Sequence, residues 1–99
     1  MGIELNNYIA VDGSRQFLAL PESCAWSDLR THLGALEGVE LGEYLTDGIV
    51  EAWIGFAYRG YRFMINNQFG EYWFFSDDPA CPASVLTEIA QHCHSFLCT

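Results

Sequence analysis

His92, Cys93, His94 and Cys98 stand within seven residues of one another, and imidazole and thiolate are the ligands tetrahedral zinc takes. Helical spacing pulls this group apart. At about 100° per residue, Cys93 falls on an apolar arc with Val85, Leu86, Ile89, Ala90, Phe96 and Leu97. His94 and Cys98 fall on the opposite side, one turn apart. They supply two ligands, and only Cys24 or Cys81 stand elsewhere as candidates for the rest. The plainer reading is core cysteines with surface histidines near a helix C-terminus, where imidazolium is favoured. No metal or other cofactor is therefore expected, with a His94 and Cys98 site as the alternative.

Other reactive groups fare similarly. Glu88 and His92 are spaced i, i+4, which suits an acid–base pair but is also the ordinary spacing of a helix-surface contact. Cys81 precedes a predicted helix, a position that lowers a thiol pKa, yet Asp77 and Asp78 beside it oppose that effect. The chain carries no Walker A loop, GxGxxG, HExxH or GxSxG. It has no lysine, which removes Schiff-base chemistry. A non-enzyme is expected.

The charge has a definite address. Thirteen acids face four arginines, for a net charge of −9, and Glu37, Glu40, Glu43, Asp47 and Glu51 crowd into fifteen residues. Such a balance excludes binding to a nucleic-acid backbone or an anionic membrane, both of which require clustered cations. A defined calcium loop is missing, although carboxylates take hard cations such as calcium or iron. A basic protein partner, steered in by the acids, is the functional reading. A solvated acidic edge is the structural one.

These residues need elements to position them, and 99 residues suffice for one domain with one modest core, spanning 1–99. Residues 3–20 read as a hairpin turning at Asp12-Gly13-Ser14. Residues 23–36 read as a helix burying Trp26, Leu29, Leu33 and Leu36, capped by Ser23 or Ser27 and weakened or closed by Gly34 or Gly38. A single helical turn is expected over 43–47. Residues 49–76 form a meander, with strands over 49–58, 61–66 and 71–76, a tight turn at Arg59-Gly60 and a four-residue loop over 67–70. Ten of the fifteen aromatic residues lie between Trp53 and Phe75, which makes this sheet the centre of the fold. Pro82 starts a second helix running to about Leu97. The fold class is α+β, an antiparallel sheet with helices at about 23–36 and 82–97 packed on one face.

A two-residue hairpin at Arg59-Gly60 sets Tyr58 opposite Tyr61, Phe56 opposite Phe63 and Ile54 opposite Ile65, with Tyr72 and Phe74 on the same side. That is the face for the helices. The other face holds Glu51, Trp53, Gly55, Ala57, Arg62, Met64, Trp73 and Phe75, too apolar for an ordinary solvent face. Either the amino-terminal segment or a second copy covers it, or it is a recognition surface. Phe69 and Gln68, at a hairpin tip, suit a binding loop.

The expectation is a small acidic protein-binding domain, of the size and charge of an immunity- or antitoxin-type inhibitor of a basic partner. Glu37, Glu40, Glu43, Asp47, Glu51, Trp53, Met64, Phe69 and Trp73 are its contact residues. A metal-handling protein and a small enzyme follow in that order, and a homodimer burying Trp53 and Trp73 is compatible with all three. With no leader, no CxxC pair and no run of about 20 apolar residues, reduced thiols and a cytoplasmic location are expected.

Overall fold

The structure is a computed structural model, and it describes residues 5–46 and 52–97. Strands β1 (Tyr8–Ile9) and β2 (Arg15–Pro21) form the amino-terminal hairpin, and helix α1 (Trp26–Gly34) follows. Strands β3 (Glu40–Thr46), β4 (Ala52–Tyr58), β5 (Tyr61–Gln68) and β6 (Glu71–Ser76) form the meander, and helix α2 (Ala83–Leu97) closes the chain's described part. All six strands join one antiparallel sheet in the order β1-β2-β6-β5-β4-β3. The α+β class, the meander and the two helices stand as expected.

One face of the sheet makes the core. Ile54, Phe56 and Tyr58 from β4, Phe63 and Ile65 from β5, and Tyr72 and Phe74 from β6 are all buried. Leu29 and Leu33 of α1 pack on them, with Val85, Leu86, Ile89, Ala90, Cys93 and Leu97 of α2. The helical period of the apolar residues is thus what turns both helices toward the sheet. Phe17 adds edge-to-face contacts with Phe63 at 5.9 Å and Phe74 at 6.1 Å between ring centroids.

Strand register follows from two tight turns. Arg59 and Gly60 both have positive φ, 52° and 84°, as do Phe69 and Gly70, 50° and 78°. Two consecutive positive φ values define the type I′ turn, whose twist matches that of a hairpin. Tyr58 faces Tyr61, Phe56 faces Phe63 and Ile54 faces Ile65, as the sequence predicts. The second turn departs from expectation. It is the two residues 69–70, and Gln68 pairs with Glu71, so β5 runs two residues longer than the four-residue loop allowed. A shift of two residues preserves which face each side chain takes, so Tyr72 and Phe74 lie on the expected face.

The segment after α1 also departs from expectation. No helical turn forms at Glu43, because β3 pairs with β4 from Glu40 to Thr46; Asp47 lies outside the described residues. A bulge explains why the strand was hidden. Leu41 faces Phe56 and Tyr44 faces Ile54, which leaves Gly42 and Glu43 together opposite Gly55. Leu41 and Tyr44 therefore share a face at a spacing of three, which imitates a helix and breaks the two-residue alternation of a strand.

Neither expected serine caps α1. The cap position is Ala25, with no side-chain hydrogen bond, and Ser23 Oγ instead donates to the Leu97 carbonyl at 2.8 Å, tying the loop to the end of α2. After α1 the chain turns at Gly38, whose φ is +95° and whose missing Cβ would sit 3.5 Å from the Tyr58 ring. A side chain there meets both strain and Tyr58.

Candidate functional site: the helix-free face of the sheet

Alternation along the strands puts a second set of side chains on the face away from the helices. Across the sheet, Leu45, Trp53, Asn66, Trp73 and Ala19 stand in one row on β3, β4, β5, β6 and β2. Gly55, Met64, Phe75 and Gln16 make the next row, and Glu40, Ala57 and Arg62 the third. Trp53 and Trp73 are two strands apart, roughly 10 Å at the usual strand spacing. Trp53, Met64, Trp73 and Phe75 are half-buried, and Leu45 is exposed.

Both helices lie on the opposite face, and the amino-terminal hairpin extends the sheet beyond β6 instead of folding across it. The described hairpin therefore does not cover this face.

Asn66 sits between the tryptophans and is almost wholly buried. Its Nδ2 donates to the Ala52 carbonyl at 3.0 Å, and its Oδ1 accepts from Gln68 Nε2. Asn67 Oδ1 accepts from the Ala52 N–H at 2.8 Å. Asn66, Asn67 and Gln68 all belong to β5. Their role is to hold the end of β4 against β5 and set the floor between the two tryptophans.

The β5–β6 turn carries Phe69, which is 90% exposed and held at φ 50°. A bulky residue in left-handed backbone is strained, by about 1–2 kcal/mol. Its ring leans on Trp73, with centroids 6.0 Å apart, and Trp73 Nε1 donates to Glu71 Oε1 at 3.2 Å. The turn thus extends the aromatic surface past the sheet's end.

The acids divide. Glu40 stands in the outer rows beside Ala57, and the bulge leaves Glu43 exposed at the same edge. Glu37 is exposed on the loop before β3, and Asp47 and Glu51 lie outside the described residues. A hollow that the sequence does not announce lies beside Glu40 and Glu43. Gly42, Gly55 and Ala57 form its floor, Met64 a wall, and Glu40, Glu43, Asp77 and Arg62 also line it, enclosing about 350 Å³. Its signal was faint, since only the pairing of β3 with β4 brings Gly42 against Gly55.

The helix side offers little chemistry. Burial pushes the Cys93 thiol up to about 12, and burial likewise raises Cys24 and Cys81, all away from the thiolate a nucleophile requires. Glu88 does not pair with His92. It takes Arg59, with Nε at 2.8 Å, and accepts from the Tyr58 hydroxyl at 3.2 Å. His92 turns instead to His32. His94 is exposed, and Cys98 lies outside the described residues. Among the described residues no three His, Cys, Asp or Glu side chains converge as a metal site, and no helix is long and apolar enough to cross a membrane.

Comparison of the chain with protein-family models, with curated proteins and with solved structures finds no match. The reading of function rests on the site itself.

Proposed function

We propose that this chain is a non-catalytic binding domain whose helix-free sheet face engages a basic protein, in the manner of an immunity- or antitoxin-type inhibitor. The observation that carries the reading is that this face presents Trp53, Met64, Trp73 and Phe75 together, while both helices pack elsewhere. Tryptophan and methionine are contact residues, and a central aromatic cluster with a polar rim is how binding energy concentrates at interfaces. Phe69 supports the same reading. An exposed phenylalanine in left-handed backbone costs stability that asparagine or glycine would recover, which fits a residue kept for contact.

Charge selects the partner. A net −9, with Glu40 and Glu43 at the edge of this face, favours a cationic surface and disfavours a second acidic copy.

Affinity capture from native lysate, repeated with Trp53→Ala/Trp73→Ala, tests the reading. A basic protein held by the wild type and lost by the variant is the expected result. The interaction, remeasured with that protein purified, should weaken more than tenfold in the variant and fall with rising salt. Capture of the same proteins by both forms, or of none, overturns it.

A further inference from the structure

We infer that the hollow over Gly42, Gly55 and Ala57 is the seat for one arginine side chain of the partner; this rests on the binding reading above and names its anchor. The hollow exists because three small residues adjoin on the outer face. The β3 bulge sets Gly42 and Glu43 opposite Gly55, and Ala57 follows two residues along β4. A Cβ on Gly42 would lie 3.4 Å from the Gly55 carbonyl oxygen, and one on Gly55 would lie 3.4 Å from the Glu43 nitrogen and 3.7 Å from Met64 Sδ. Side chains at these positions would occupy the floor. Their absence leaves about 350 Å³, ample for an extended side chain and its water.

The chemistry of the lining identifies the occupant. Met64 and Ala57 offer an apolar path for a methylene stem. Glu40, Glu43 and Asp77 bring three carboxylates against the single guanidinium of Arg62. All three acids are exposed, and among the described residues none is in an ion pair; the one ion pair is Arg59 with Glu88. A cation entering here therefore meets carboxylates with free acceptor capacity. Arginine fits better than lysine. Its planar fork presents five donors in a geometry that pairs bidentately with a carboxylate, and it is less strongly hydrated than an ammonium. The hollow also shares Met64 and Gly55 with the row next to the tryptophans, so one partner surface spans both.

The test uses N-acetyl-arginine N-methylamide as probe, titrated at low salt into the isotope-labelled protein and followed by nuclear magnetic resonance. Saturable shifts of the Gly42, Gly55 and Ala57 amides and the Met64 methyl are expected. The norleucine analogue, which keeps the stem and lacks the charge, should leave them in place. Ala57→Leu fills the hollow from an outward-facing position that tolerates a larger side chain, and it should abolish the shifts while the remaining spectrum stays native. Glu40→Gln/Glu43→Gln should weaken the probe at least tenfold. Linear, non-saturating shifts, an equal response to the norleucine analogue, or full binding by Ala57→Leu overturns the inference. Should the probe fail while the Trp53 and Trp73 indoles still respond to a captured basic partner, the arginine seat falls and the binding reading stands. Should neither respond, both fall.

Discussion

His32 and His92 stack face to face where α1 meets α2, with ring centroids 4.0 Å apart and planes 9° from parallel. Each ring's Nε2 reaches the other's backbone carbonyl, His32 at 2.7 Å and His92 at 2.6 Å. A carbonyl only accepts, so each Nε2 carries a hydrogen and donates it. Phe96 stacks on His32 as well, at 4.2 Å, so the α1 ring lies between two α2 rings spaced one turn apart. The two helices, which flank the core on one side of the sheet, are clasped by this pair.

The clasp predicts coupled losses. His32→Phe keeps a stacked ring and removes one donor, at about 1 kcal/mol, while His32→Ala removes both contributions, at about 2 kcal/mol. In urea denaturation the His32→Ala/His92→Ala double variant should lose less than the sum of the singles, by about 1 kcal/mol. Strict additivity would mean the two rings act independently.

Phe69 predicts a gain of stability at the expense of contact. Phe69→Asn places a residue that tolerates left-handed backbone in the first position of the β5–β6 turn, and should stabilise the fold by about 1 kcal/mol. The same variant should bind the partner more weakly. A variant that is no more stable than wild type would show that Phe69 carries no strain.

Leu86 is fully buried between α2 and the sheet. Leu86→Ala should cost about 2–5 kcal/mol, whereas Leu45→Ala, on the exposed outer row, should cost far less. Comparable losses from thermal unfolding of the two would contradict the assignment of inner and outer faces.

The thiols predict slow chemistry and a basic limit to stability. At pH 8, Cys81 and Cys93 should resist a disulfide reagent until denaturant is added, as mass mapping of the labelled peptides would show. Their native pKa values are raised, so the unfolded chain gives up these protons more readily. The stabilisation is complete below the ordinary thiol value and is lost as pH rises through the native one, for Cys93 toward about 12. Cys93→Ala should flatten that decline.

Glu88 sets the acid side. Its carboxyl is held below the ordinary value by the hydrogen bond from Arg59 and by that from the Tyr58 hydroxyl. The unfolded chain therefore takes up the proton more readily, and acid favours unfolding. This contribution is complete above the ordinary carboxylate range and is lost as pH falls through the native value. Glu88→Gln should reduce the slope of stability against pH there, and because the pair is exposed, added salt should shrink the difference.

The two apolar faces of the meander are legible in the order of residues alone. Alternation and the Arg59-Gly60 turn are local, and a side chain's face depends only on parity, so Ile65 and Phe74 share a face whether the next turn has two residues or four. Helix α2 is legible in the same way, since apolar spacing from Val85 to Leu97 and Pro82 at its start agree. Features that depend on contacts between distant segments emerge only on folding. β3 became a strand because β4 lies beside it, with a bulge that turned Leu41 and Tyr44 inward and opened the Gly42–Gly55 hollow. His92 left Glu88, four residues away on its own helix, for His32, sixty residues away, because packing both helices on one face brings the two rings together. Local periodicity records which way a side chain points. Only the folded chain records what it meets there.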